Sequence, residues 1–166
     1  MNGPLYQYLE QDHERIEQYL NSAVKNADAV DMEAYAQFRT GLARHIGIEE
    51  RLLFPPMLRM LGGQITPVMA QIKLDHGALV ALLVPPPYPK IIAAIRAILS
   101  KHNILEEENG GVYQIIEQLS AAELAVLLES ARSAPDVRML PHKENPELLE
   151  ATSRALARAG YSLDEY

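Results

Sequence analysis

Ala43-Arg44-His45-Ile46-Gly47-Ile48-Glu49-Glu50-Arg51-Leu52-Leu53-Phe54-Pro55 decides how this chain is read. His45 and Glu49 stand four residues apart in a segment with helical periodicity, so both point from one face. That face is otherwise apolar, and an imidazole over a carboxylate there needs a partner. The same pair returns as His102 and Glu106. Each pair follows a further histidine on an earlier apolar stripe, His13 before the first and His76 before the second.

Working outward, Pro4 suits the first turn of a helix. Leu5, Leu9, Ile16 and Leu20 keep a helical period with His13, ending near Val24. Asp31 caps a second helix whose inner stripe is Phe38, Leu42, His45, Glu49, Leu52 and Leu53. Pro55-Pro56 must kink or end it, and Gly62-Gly63 closes the segment. Thr66-Pro67 opens a third helix with Met69, Ile72, His76, Leu79, Val80 and Leu83 inward. Pro85-Pro86-Pro87-Tyr88-Pro89 is a stiff extended linker. A fourth helix from about Lys90 carries Ile91, Ile95, Ile98, Leu99, His102 and Glu106 inward. Gly110-Gly111 interrupts it, and residues 112–119 resume it after a kink. Ser120-Ala121-Ala122-Glu123 is a capping box for a fifth helix, and Pro146 opens a sixth that ends at Gly160. Four helices with short turns predict an all-α, antiparallel up-down-up-down four-helix bundle over residues 1–119. Residues 120–166 form two extra C-terminal helices packed on it within the same domain.

Helix rise tests whether the histidines share a level. From His13 to Val24 is about 17 Å and from Asp31 to His45 about 21 Å. From His76 to Leu83 is about 10 Å and from Lys90 to His102 about 18 Å, a mismatch the extended proline linker can span at about 3 Å per residue. The four rings therefore fit one layer, with Glu49 and Glu106 one turn away. His142, in Pro141-His142-Lys143, reads as exposed loop.

Four imidazoles and two carboxylates in an apolar core are costly unless metal ions bind them. Two ions can each take two histidines, and both glutamates can bridge the pair. An oxide or hydroxide bridge brings each to about five ligands, with one position open for a small ligand. Donors without sulfur suit iron, with manganese and zinc as competitors. The metal set is then His13, His45, Glu49, His76, His102 and Glu106. Asp12 and Asp75 each directly precede a histidine and are candidates to fix imidazole tautomers. Glu50 and Glu107 are rotated about 100° from the ligand glutamates and read as solvated or paired with basic groups. Tyr113 lies two turns beyond Glu106. Core packing with a bonded hydroxyl is its favoured reading, and a phenol near the metals, as proton donor or ligand, is the other. Singly these features have plainer readings, since a lone core histidine is usually structural and a lone His-x-x-x-Glu usually a surface pair. The joint pattern favours metal.

The composition agrees. The chain has 166 residues, 48% of them hydrophobic, no cysteine, a net charge of −7 and a pI near 5.2. That charge argues against nucleic-acid or anionic-membrane partners. Absence of thiols fits a reducing compartment. No signal peptide opens the chain and no apolar run spans a membrane. These features predict a soluble cytoplasmic protein.

Together, Asp12-His13-Glu14, His45-Ile46-Gly47-Ile48-Glu49-Glu50 with Leu53-Phe54-Pro55, Asp75-His76, and His102-Asn103-Ile104-Leu105-Glu106-Glu107 resemble the hemerythrin-like, or HHE cation-binding, family over roughly Leu5 to Ile116. The resemblance implies a non-haem di-iron site in a four-helix bundle. Oxygen-carrying members use a fifth histidine where this chain has Ile72, and an aspartate where it has Glu107. The match is therefore to the four-histidine, two-glutamate branch, which includes bacterial proteins that repair damaged iron centres. This implies an iron pair that reacts with oxygen or peroxide, or binds nitric oxide, rather than reversible oxygen carriage. Repair proteins usually carry a cysteine-bearing N-terminal domain, which this chain lacks.

The first functional expectation is thus a di-iron protein that binds, senses or detoxifies O2, NO or peroxide, or holds iron for stress repair. The second is a di-iron oxidase or peroxidase. The third is a metal-free helical interaction protein that forms a homodimer through its C-terminal helices. Ferritin-type sites are disfavoured because they use Glu-x-x-His.

Overall fold

The computed structural model describes residues 2–166. The fold is all-α, with no strand among the described residues. None of the helices described is long and apolar enough to cross a membrane. By their contacts the residues form two compact units. One runs through Ile65 and resumes over Glu107–Met139, and the other joins Thr66–Glu106 to Leu140–Tyr166.

In the first unit, helix α1 (Pro4–Ala23) begins with Pro4 in its first turn and buries Leu5, Leu9, Asp12, His13, Ile16 and Leu20. Helix α2 (Met32–Ile48) starts at Asp31, whose carboxylate accepts from the amides of Glu33 and Ala34 at 3.0 and 3.1 Å. The two run antiparallel, with His13 beside His45, Ile16 against Gly41, and the Asp31 amide donating to the Ala23 carbonyl at 2.8 Å. A Cβ on Gly41 would lie 3.4 Å from Ile16 Cγ1, at van der Waals contact, which shows how closely the two helices pass there.

The proline pair neither ends the second helix nor kinks it at its own position. Instead α2 passes into a π-helical turn over Glu49–Leu53 and on into α3 (Phe54–Met60), with Pro55 in the first turn of α3. Prolines 55 and 56 cannot donate to the carbonyls four residues back. The wider turn takes up the strain one turn earlier, where the Phe54 amide reaches the Glu49 carbonyl. Gly62 and Gly63, both left-handed, end the segment. After Gly110, also left-handed, α6 (Val112–Ile116) forms a separate short helix rather than a resumed one. Ser120 and Glu123 make the expected capping box for α7 (Ala121–Arg132). Helix α7 packs on α1 and on the π-turn, and α3 packs on α6. Buried Arg44 ties α2 to the end of α7 by donating to the carbonyls of Ala131 and Ala134 at 2.8 and 2.9 Å.

In the second unit, α4 (Pro67–Leu82) starts at Thr66, whose hydroxyl accepts from the Met69 amide at 3.2 Å. Helix α5 (Pro89–Glu107) buries Ile91, Ile92, Ala94, Ile95, Ile98, His102 and Glu106. Helix α8 (Pro146–Ala159) lies antiparallel along α4, with Gln71 opposite Ala159 and Ala81 opposite Thr152. That neighbour widens the buried arc of α4 on one side. Asp75, Ala78 and Leu82 are covered, whereas Val80, expected inward, is 46% exposed. His142 is half-buried rather than exposed, and its Nδ1 lies 2.9 Å from the Pro85 carbonyl, tying the C-terminal loop to the proline linker.

Candidate metal centre

The first unit brings together His13 from α1, His45 from α2 and Glu49 from the start of the π-turn. Each offers one ligand atom, and all of these lie within 4.8 Å of one another. The imidazole rings stand 4.5 Å apart, and His45 Nε2 is 3.2 Å from Glu49 Oε1. All three residues are buried.

Around this triad lie groups that hold its orientation. His45 Nδ1 is 2.9 Å from Asp12 Oδ2, and His13 Nδ1 is 2.5 Å from Glu107 Oε1. With protons on both Nδ1 atoms, the two Nε2 lone pairs face the glutamate, as metal ligation requires. Asp12 in turn accepts from the Arg15 guanidinium. Burial is the largest single influence on the Asp12 carboxylate and works against it, but the bond to His45 and the charges of His45, Arg15 and Arg44 together hold its pKa below the ordinary value. Burial likewise opposes charge on His45, yet the Glu49 and Asp12 carboxylates raise its pKa well above the usual 6.5.

Tyr113 from α6 is fully buried, and its hydroxyl donates to Glu49 Oε1 at 2.7 Å. The Tyr113 hydroxyl oxygen also lies 3.1 Å from His13 Nε2 and 3.3 Å from His45 Nε2. Tyr113 is thus a core residue whose phenol belongs to the triad, which joins the two readings weighed for it. Tyr6 packs edge-on against its ring and donates its own hydroxyl to the Glu107 carbonyl at 2.6 Å.

The second unit repeats the inner pattern with His76 from α4 and His102 and Glu106 from α5. Their ligand atoms also lie within 4.8 Å of one another. His102 Nε2 is 3.2 Å from Glu106 Oε1, and His76 Nε2 is 3.9 Å from it. His102 Nδ1 faces Asp75 Oδ2 at 3.4 Å. In both units the aspartate serves the histidine of the neighbouring helix and not the one it precedes.

All six sequence-derived ligand residues therefore fall into these triads, three in each unit. Glu107 was missed. It is not a solvated glutamate but the acceptor at His13, with 30% of its side chain exposed. It closes α5, where the helical period stops, so its partner could not be read from spacing. The donors present fit a metal ion, because each triad supplies two imidazole nitrogens and a carboxylate, buried and without sulfur.

A family model described as the hemerythrin HHE cation binding domain matches residues 5–110, more than half of the chain. A search of curated proteins finds no match, and neither does a search of solved structures. Family and buried His/Glu groups together mark a metal-binding protein. The chain belongs to the hemerythrin HHE cation-binding family.

Proposed function

We propose that the chain is a non-haem di-iron protein that binds a small oxidant or diatomic ligand (O2, NO or peroxide). His13 and His45 would hold one ion, and His76 and His102 the other, with Glu49 and Glu106 shared as bridges. The observation that carries this reading is the pair of buried His–His–Glu triads. Each supplies only three donors, so sharing both carboxylates is what brings each ion towards a full set. Iron is favoured over manganese and zinc by the donor set and by the family resemblance. When bound, the iron pair would supply an open coordination position and electrons for the ligand. The protein's own share is to hold imidazole tautomers through Asp12, Glu107 and Asp75, and to keep the ligand residues buried away from water.

A role in sensing, detoxification or iron repair under stress would use the same site. A homodimer would use the C-terminal helices, where Val126 of α7 stands exposed. The enzymatic alternative, an oxidase or peroxidase, draws on one observation. Tyr113 places a buried phenol proton on Glu49, where a reduced oxidant would need one.

The test is iron content and visible spectrum after loading with ferrous iron in air. Two irons per chain with oxo-bridge absorption is the expected result. No iron in the wild type, with no change on His102→Ala, would sink the proposal. Stable adducts without turnover identify a binder, and steady consumption of peroxide identifies an enzyme.

A further inference from the structure

The family match ends at residue 110, yet a later segment reaches the second triad. Helix α8 ends at Ala159, and left-handed Gly160 reverses the chain so that the Tyr161 amide returns to the Leu156 carbonyl at 2.9 Å. That reversal leaves the Ala159 carbonyl open to a donor from α4. Gln71 supplies it. Its Nε2 donates one hydrogen to Ala159 O at 3.0 Å and the other to Asp75 Oδ1 at 2.8 Å. Asp75 is fully buried, and its second oxygen faces His102 Nδ1.

Tyr161 is buried beside this bridge. The Lys101 ammonium, next to His102 in the chain, lies 5.3 Å from the centre of its ring. Burial and then the Asp75 carboxylate push its phenol above the ordinary range.

We propose that residues 146–166 are a positioning element of the second triad, in which the end of α8, through the Gln71 amide, fixes Asp75 and thereby the ring of His102. Gln71 has two amide hydrogens in one plane, so holding Ala159 and Asp75 together sets the carboxylate's rotation as well as its place. An acceptor fixed in this way sets the tautomer and tilt of the ring it faces. The geometric claim stands on these contacts alone. Its consequence for metal rests on the di-iron reading.

The test uses the full chain, metal-free and with 15N-labelled histidine, followed by titration with cobalt(II). Gln71→Met keeps length and apolar volume while removing both donors. It should shift the His102 ring-nitrogen resonances and leave those of His13 and His45 in place. It should also weaken one of two cobalt sites by about tenfold, the scale for groups that hold a ligating histidine. In an Asp75→Asn background the same substitution should add less than about threefold, because two residues acting in one chain of contacts are not additive. Tyr161→Phe, a milder change, should shift the same His102 resonances and secures the result if Gln71→Met folds poorly. An unmoved His102 with intact cobalt affinity in Gln71→Met overturns the proposal. So does an undiminished tenfold loss in the Asp75→Asn background. A wild type that takes up no cobalt while Gln71→Met still moves His102 overturns the metal reading and supports the positioning role.

Discussion

The two triads share their inner ligands and differ in what stands behind them. In the first unit the supporting groups are charged and lead towards solvent. Glu107 holds His13, and Asp12 holds His45 while accepting from Arg15, whose side chain is 47% exposed. In the second unit, buried Asp75 faces His102 and is itself held by the neutral amide of Gln71, anchored on α8. The repeat thus covers the ligands and the aspartate that faces the second histidine, Asp12 in one unit and Asp75 in the other, but not what stands behind that aspartate. Helical spacing dictates the ligands, because i and i+4 must share a face. The remaining supports come from whatever packs alongside, which is the end of α5 and α6 in one unit and α8 in the other.

Removing the bridges tests this comparison most severely. Glu49→Ala and Glu106→Ala should each lower bound iron from two per chain to one or none, read by elemental analysis. If each carboxylate serves both ions, the two variants lose iron alike. Loss confined to the variant's own triad would break the bridging assignment.

Next come the supports. Asp12→Asn and Asp75→Asn should each weaken cobalt binding by about ten- to a hundredfold. The difference between the units should appear in salt. Asp12 leans on a half-exposed guanidinium, so the affinity gap between wild type and Asp12→Asn should narrow at high ionic strength. The gap for Asp75→Asn should not. Equal salt responses would contradict the contrast drawn between charged and neutral support.

Tyr113→Phe keeps the ring and removes the donor to Glu49. The metal-free chain should lose about 2 kcal/mol in denaturant unfolding, the scale of a hydrogen bond to a charged group. An unchanged midpoint would mean that Glu49 does not depend on the phenol.

The smallest effect is a pH trend. Folding raises the pKa of His45 against the burial that opposes it, through Glu49 and Asp12. A pKa raised on folding gives stability that is complete below the unfolded value near 6.5 and is lost as pH climbs through the folded value. The metal-free chain should therefore lose stability as pH rises above about 6.5. The loaded chain should gain metal affinity over the same range, since ligation needs the neutral ring. Asp12→Asn should flatten the first trend, and Asp75→Asn should leave it.

Much of this was legible in the chain itself. The caps at Asp31, Thr66 and Ser120 follow from side-chain chemistry three residues from their targets, and all three form. The ligand residues follow from periodicity. What was not legible depends on neighbours distant in sequence. The π-turn at Glu49 answers two prolines downstream by a route that spacing does not specify. Val80 lies at the uncovered edge of the α4 stripe, while α8 buries Asp75, Ala78 and Leu82 on the other side. Glu107 and Gln71 carry no periodic signal, because their partners His13 and Ala159 lie on other helices. Tyr113 was read as a core residue with a bonded hydroxyl, but its donation to Glu49 depends on where α6 starts after Gly110.

The central claim is that two triads hold two ions through shared carboxylates. Anomalous diffraction at the iron edge from crystals of the loaded chain tests it most directly. Two iron peaks are predicted, one on His13 and His45, the other on His76 and His102, with Glu49 and Glu106 touching both. A single peak, or two peaks that share neither glutamate, would contradict it.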